Sequence, residues 1–211
     1  MMKEIILIGL MKMEAKINYQ RKLEELVKTF KNKPTLLLHS CCGPCSTQVI
    51  DFLKDYFEIT IFYYNPNIEP LEEYLHRKNE QIRFIEEYKE AKVNFLDCDY
   101  DHPSFYEIAK NLEHEKEGGA RCNKCFYLRM EKTALKAKEL GINYFGTTLT
   151  VSPHKNSEII NKTGEHISKE LNIPYIYGDF KKNDGYKKSI EFSKIYNLYR
   201  QDYCGCLYGR E

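Results

Sequence analysis

Seven of the eight cysteines in this chain fall into three tight clusters: Cys41, Cys42 and Cys45, then Cys122 and Cys125, then Cys204 and Cys206. Two residues separate Cys42 from Cys45 and Cys122 from Cys125, a spacing at which two sulfurs reach one metal. An iron–sulfur cluster takes four thiolates and accepts them from separate segments, and Cys41, Cys42, Cys122 and Cys125 make such a set. Zinc is the rival, because paired cysteines also build tetrahedral structural sites. A chain of 211 residues does not need a metal staple to bury a core, which favours iron–sulfur. A ligating thiol must be deprotonated. Both pairs stand at the expected start of helices, whose N-termini lower thiol pKa, and Arg121 adds positive charge beside Cys122.

The third cluster, Cys204-Gly205-Cys206, suits a different task. Two sulfurs one residue apart do not easily share a mononuclear metal, but they can close a small strained disulfide that is readily reduced, as a cycling redox pair requires. The alternative is that one or both complete the metal site. Cys98 has no partner at metal spacing and reads as a small buried hydrophobe. His39 and His154 are candidate proton donors or capping residues. Asp97, Asp99, Asp101 and Asp179 are candidate metal ligands or proton relays, set against the ordinary roles of solvated or capping carboxylates.

Near the carboxyl end, Lys181, Lys182, Lys187, Lys188, Lys194 and Arg200 alternate with Phe180, Tyr186, Phe192, Tyr196, Tyr199 and Tyr203. Cations bind phosphates and aromatic rings stack on exposed bases, so the stretch suits RNA; it equally suits an amphipathic helix with a lysine face and a buried tyrosine face. The net charge of +1 gives the whole chain no attraction to nucleic acid, so a binding face must be local. No Gly-x-Gly-x-x-Gly and no Walker-type loop follows a strand. Eight cysteines in this length are too sparse for a disulfide scaffold, and no secretory signal or apolar run of membrane-spanning length is evident. The expected location is the reducing cytoplasm, with no membrane partner.

The elements that must position these residues alternate. Apolar runs at Thr35–Leu38, Ile59–Tyr64, Val93–Leu96, Asn143–Thr147 and Pro174–Tyr177 predict five strands. Helical spacing predicts a first helix through Tyr19, Leu23, Val27 and Phe30. Others follow over Val49 to Phe57, Leu71 to Ile85, Ser104 to Leu112, Cys125 to Leu140, Ser157 to Leu171 and Lys187 to Tyr199. Strand–helix alternation argues for an α/β fold, doubly wound, with a mostly parallel sheet of about five strands and helices on both faces. In such folds sites lie beyond the carboxyl ends of the strands, where the cysteine, histidine and aspartate loops would meet on one rim. Residues 1–17 are expected to be an N-terminal extension and 18–211 a single α/β domain.

Several segments together resemble the QueH family of epoxyqueuosine reductases. They are Leu36 to Cys45 (LLLHSCCGPC), Gly118 to Phe126 (GGARCNKCF), Thr147 to Asn156 (TTLTVSPHKN), Asp179 to Lys182 (DFKK) and Tyr199 to Cys206 (YRQDYCGC). The likeness runs from about Asn18 to Tyr208, with no departure at the motif cysteines. It implies reduction of epoxyqueuosine to queuosine at the wobble position of tRNA without cobalamin, on a nucleotide-binding-like domain of the HUP type. It also implies a [4Fe-4S] cluster on Cys41, Cys42, Cys122 and Cys125, and a second iron on Cys45 with an acidic residue. Cys204 and Cys206 would be the redox pair, the tRNA anticodon loop the partner, and the electron donor is unidentified. Rival readings are a tRNA-thiolating enzyme using ATP, a zinc-stabilised RNA-binding module and a thiol-disulfide oxidoreductase. The first needs a Ser-Gly-Gly-type loop where the first cysteines stand.

Overall fold

A computed structural model describes residues 17–209. The extension expected over residues 1–17 falls, apart from Ile17, outside the described residues. Four strands, β1 (Thr35–His39), β2 (Glu58–Phe62), β3 (Asn94–Leu96) and β4 (Tyr144–Thr147), form one sheet in the order β3-β2-β1-β4. Every pairing is parallel, with Leu38 opposite both Ile61 and Gly146. The chain therefore builds outward from β1 through β2 to β3, then returns to the other side of β1. The order reverses between β1 and β4, and the crevice beyond the strand ends at such a reversal is where ligands bind.

Alternation along β1 sorts the helices. Leu36 and Leu38 point into a core with α1 (Tyr19–Val27), α2 (Gly43–Leu53), α3 (Leu71–Glu87) and residues flanking the last helix. Leu37 points into a second core on the opposite face, built with α5 (Ala120–Glu139) and α6 (Ser157–Leu171). The central strand β1 is thus buried on both sides, as a parallel sheet covered by helices requires. The short α4 (His102–Ala109) packs on α5, and α7 (Gly185–Ile195) packs on α2.

Several boundaries differ from expectation for local reasons. The fifth strand shrinks to a single parallel bridge between Phe145 and Tyr175. Pro174 has no N–H to extend the ladder. Past Ile176 the side chain of Asn161 takes over the pairing, donating from Nδ2 to the Gly178 carbonyl (2.8 Å) and accepting the Gly178 N–H (3.0 Å). The segment still presses on the sheet: a Cβ on Gly146 would meet Ile176 Cγ1 at 2.5 Å. Helix α4 begins two residues before Ser104, with Asp101 as N-cap and Pro103 in the first turn. Helix α7 stops at Ile195, short of Tyr199, and Asn197 follows in a left-handed conformation (φ 47°). Helix α5 begins at Ala120, so Cys122 and Cys125 lie within its first two turns.

Candidate metal and substrate site

The strand β1 delivers the first thiols. It ends at His39, and α2 starts at Gly43 with Pro44 behind it, leaving a three-residue turn that carries Cys41 and Cys42. The Sγ atoms of Cys41, Cys42 and Cys45 all lie within 4.8 Å of one another, and Cys41 and Cys42 are 3.9 Å apart. Among the described residues this is the one group of three or more metal-donor side chains so closely gathered. The turn is held on both sides. The Cys41 N–H donates to Thr148 Oγ1 beyond β4 (3.4 Å), and Asn65 Nδ2 beyond β2 donates to the Ser40 carbonyl (2.8 Å). The thiols of Cys42 and Cys45 stabilise charge on the Cys41 sulfur and hold it well below the usual thiol range, with Lys155 adding to the effect. The same sharing pushes Cys42 up to about 12 and Cys45 upward. The hydrogen bonding among the three sulfurs favours charge on Cys41 over its neighbours, and the triad is a soft donor set.

His39 is not available as a proton donor to a substrate. It is fully buried, and its Nε2 lies 3.1 Å from the Tyr64 carbonyl, an acceptor only. Its Nδ1 then accepts from Thr147 Oγ1 at 2.9 Å. Burial, reinforced by Arg129, lowers its pKa to about 3. The imidazole is a neutral rivet between β1, β4 and the loop after β2.

The second and third clusters meet each other. Cys122, Cys125, Cys204 and Cys206 line one small cavity with Arg129 and Phe126. Cys122 Sγ accepts the Gly118 N–H at 3.2 Å, and burial pushes the Cys125 thiol up to about 12 against the pull of Arg129. Cys204 also lines a cleft of about 510 Å³ together with Cys41 and Cys45, so it stands between the two metal-type clusters. Its neighbour Cys206 faces inward instead, packed on Phe105, Ala109 and Cys125, and burial raises it to about 11. The buried Arg77 fixes this segment. Its Nε pairs with Glu73 (2.6 Å), its Nη1 donates to the Cys204 carbonyl (3.2 Å), and its guanidinium lies 4.8 Å from the centre of the Tyr203 ring. The Glu69 N–H donates to the Gly205 carbonyl (3.1 Å).

The cleft opens at the sheet's reversal point, between the loops after β1 and β4 and the carboxyl-terminal segment. His154 and Lys155 form one wall, Tyr186 and Arg200 another. Burial opposes charge on Lys155, but Cys204, Cys41 and Cys45 outweigh it and keep the ammonium charged. Arg200 stacks over Tyr186 with 5.3 Å from its guanidinium carbon to the ring centre. The four aspartates singled out by sequence do not line this cleft. Asp97 pairs with Lys78 (2.7 Å), Asp101 accepts from Tyr64 and Ser104 (2.7 Å each), and Asp179 pairs with Lys181 (2.9 Å). The carboxylates at the cleft are Glu117 and Asp202.

Comparison with known proteins settles the family. The model described as "Epoxyqueuosine reductase QueH" matches residues 36–211. The epoxyqueuosine reductase QueH of Streptococcus pyogenes serotype M1 is 42% identical over 199 residues, covering 92% of this chain and 78% of that protein. That of Acinetobacter baylyi is 44% identical over 179 residues (84% and 81%), and that of Thermotoga maritima 31% over 175 residues (82% and 89%). The chain belongs to the QueH family. This QueH-family chain offers a metal a donor set of soft thiolates, with a buried Arg129 whose Nη2 has no hydrogen-bond partner pointing at a need for nearby anions. Those residues fit a metal–thiolate cofactor.

Sequence reasoning missed Lys155, Arg129, Arg77, Glu117 and Asp202. Lys155 and Asp202 lay inside the motif segments, beside His154 and Cys204, without a spacing rule to single them out. The basic carboxyl region divides. Phe180 is core, Phe192 and Tyr196 pack beneath α7, and Lys181 is spent on Asp179 and on the Thr150 and Lys155 carbonyls. Tyr186, Arg200 and Tyr203 reach the cleft, while Lys182, Lys187 and Lys188 are exposed beside it in sequence. Among the described residues no helix is long and apolar enough to cross a membrane.

Proposed function

We propose that this chain reduces epoxyqueuosine to queuosine at the wobble position of tRNA, in the reducing cytoplasm and without cobalamin. The observation that carries this reading is the position of Cys204. It lines both the substrate-sized cleft with Cys41 and Cys45 and the cavity with Cys122 and Cys125. A volume of about 510 Å³ suits a single modified nucleobase drawn out of a loop.

Cys41, Cys42, Cys122 and Cys125 would hold a [4Fe-4S] cluster. Cys45, within 4.8 Å of two of them, would hold a second iron beside it, with Asp202 and Glu117 as the carboxylates at hand. When bound, such a cofactor moves electrons one at a time, and an iron with an open position polarises the epoxide carbon–oxygen bond. The chain's own residues do the rest. Converting the epoxide to an alkene takes two electrons and two protons and releases water. The thiols of Cys204 and Cys206 supply both electrons and both protons on closing to a disulfide, and an external donor reopens it. Cys204, facing the cleft, is the half of the pair that meets the site, and buried Cys206 is the half that resolves it. Lys155, at the cleft wall, relays one of those two thiol protons to the departing oxygen, giving up its own proton and taking the thiol's in return, so that the count stays at two. Tyr186 and Arg200 offer a stacking surface for the base.

The test is direct. Anaerobically purified protein, tRNA carrying epoxyqueuosine and a low-potential reductant are incubated, and the nucleosides are resolved by mass. Queuosine should accumulate with the native chain and fail to accumulate with Cys204→Ser. No queuosine from iron-loaded native protein would overturn the reading.

A further inference from the structure

Among the described residues Arg129 is a buried charge without a carboxylate in an ion pair. It sits on α5 one turn beyond Cys125, and only 1% of it is exposed. Its Nε donates to the Cys125 carbonyl (3.3 Å) and its Nη1 to Asn65 Oδ1 (3.5 Å), both neutral acceptors at long range. Its Nη2 is buried without a hydrogen-bond partner. Among the described residues no carboxylate forms an ion pair with it. A guanidinium does not deprotonate, and a buried charge with no counter-charge is strongly unfavourable. Arg77 and Arg121 also leave one buried nitrogen each without a partner, but Arg77 has the Glu73 carboxylate and Arg121 donates to four carbonyls. Glu117 and Arg121 share the cavity it lines, but the groups whose charge acts on Arg129 are sulfurs. Arg129 lines the cavity of Cys122, Cys125, Cys204 and Cys206, and Cys41 also contributes to the field that keeps it charged.

We propose that Arg129 is the buried counter-charge of the metal–thiolate site, with Nη2 donating to a sulfur of the bound anionic centre and thereby raising both its metal affinity and its reduction potential. This rests on the reading that a metal–thiolate cofactor occupies these cysteines. The physics is that of an ion pair in a poorly hydrated interior. Removing the cation leaves net negative charge on the thiolates, which disfavours ligand ionisation and disfavours adding an electron. Arg129 touches no reacting atom and acts through the sulfurs, as a positioning and tuning residue.

The experiment uses the metal-free full chain and the variants Arg129→Lys, Arg129→Gln and Arg129→Met. Cobalt(II) is titrated anaerobically, and sulfur-to-cobalt charge transfer reports thiolate ligation whatever the native metal is. Arg129→Gln and Arg129→Met should weaken cobalt binding by roughly ten- to a hundredfold, the usual effect of deleting an outer partner of a metal ligand, with Arg129→Lys between them and the native chain. After iron and sulfide reconstitution, the midpoint potential should fall in the same order. Native protein that binds cobalt tightly but takes up no iron–sulfur centre would sink the iron–sulfur reading and leave the Arg129 proposal to the cobalt series. Unaltered cobalt affinity in folded Arg129→Gln would overturn the proposal. So would loss of folding in all three metal-free variants, which would make Arg129 a structural residue; the proposal expects metal-free Arg129→Met to melt no lower than the metal-free native chain.

Discussion

The glycine of Cys204-Gly205-Cys206 is the place to test whether the redox segment must be clamped. Gly205 has φ +103°, where a side chain is disfavoured by about 1–2 kcal/mol. A Cβ there would also stand 2.9 Å from Ile68 Cγ1 and 3.1 Å from Arg77 Nη1. Relieving the second contact moves the guanidinium off the Cys204 carbonyl, which it holds at 3.2 Å, at a further cost of about 1 kcal/mol. Gly205→Ala should therefore destabilise the docked segment by about 2–3 kcal/mol. The sheet and both cores lie elsewhere, so the strain should be released by local opening rather than global unfolding. At about 1.4 kcal/mol per factor of ten, the open population rises roughly 30- to 150-fold. Cys206 reports it, because it is 8% exposed and burial raises its thiol to about 11, so the docked form resists alkylation twice over. Pulse alkylation of the metal-free protein, with mass spectrometry of the carboxyl-terminal peptide, should show Cys206 labelling faster by that factor. The melting temperature should move only slightly. Equal labelling of Cys206 in the native chain and the variant would refute the claim that this turn is held by Arg77 and Ile68.

Cys45→Ser should lose the second iron, measured as metal per chain, while keeping the cluster's visible absorption, whereas Cys98→Ser should retain both. Cys98 lies outside the thiol group and donates to the Tyr63 carbonyl at 3.2 Å. Asp101→Ala removes the acceptor of two hydroxyls, those of Tyr64 and Ser104, and should cost about 1–2 kcal/mol in urea denaturation near neutral pH. Burial opposes ionisation of Asp101, but its Ser104 and Tyr64 partners prevail and depress its pKa below the ordinary 3.8. Its charged form therefore stabilises the fold above the unfolded carboxyl range, and the advantage over the variant should vanish as pH falls through the folded value. Reversing Lys182, Lys187 and Lys188 to Glu should weaken tRNA binding and flatten its salt dependence without bleaching the visible absorption. Lys181 is omitted because its ammonium is engaged within the fold. Binding that keeps its full salt slope would return the RNA face elsewhere.

Much of this was legible in the chain itself. Alternating apolar runs give the parallel α/β sheet because a strand covered on both faces has to be apolar on both, as Leu36, Leu37 and Leu38 are. The first cysteine loop and the His154–Lys155 loop share one rim because the parallel strands β1 and β4 end on the same edge. What escaped depends on contacts without a sequence period. The fifth strand failed because Asn161, a helix residue remote from Pro174, completes its hydrogen bonds. His39 was a candidate acid until Thr147 and Tyr64, far along the chain, were seen to occupy both of its nitrogens. Arg129 was invisible as a site residue because arginine one turn after a cysteine on a helix carries no rule. Only its burial and missing carboxylate give it meaning.

The central claim is that the thiols of separate segments share one iron–sulfur site. The measurement closest to it is the iron and acid-labile sulfide content of anaerobically purified protein, compared between the native chain and Cys122→Ser. The account predicts about four irons and four sulfides per chain at least, with visible absorption, and loss of both in the variant. Stoichiometric zinc without sulfide, or a Cys122→Ser protein that keeps the full complement, would contradict it.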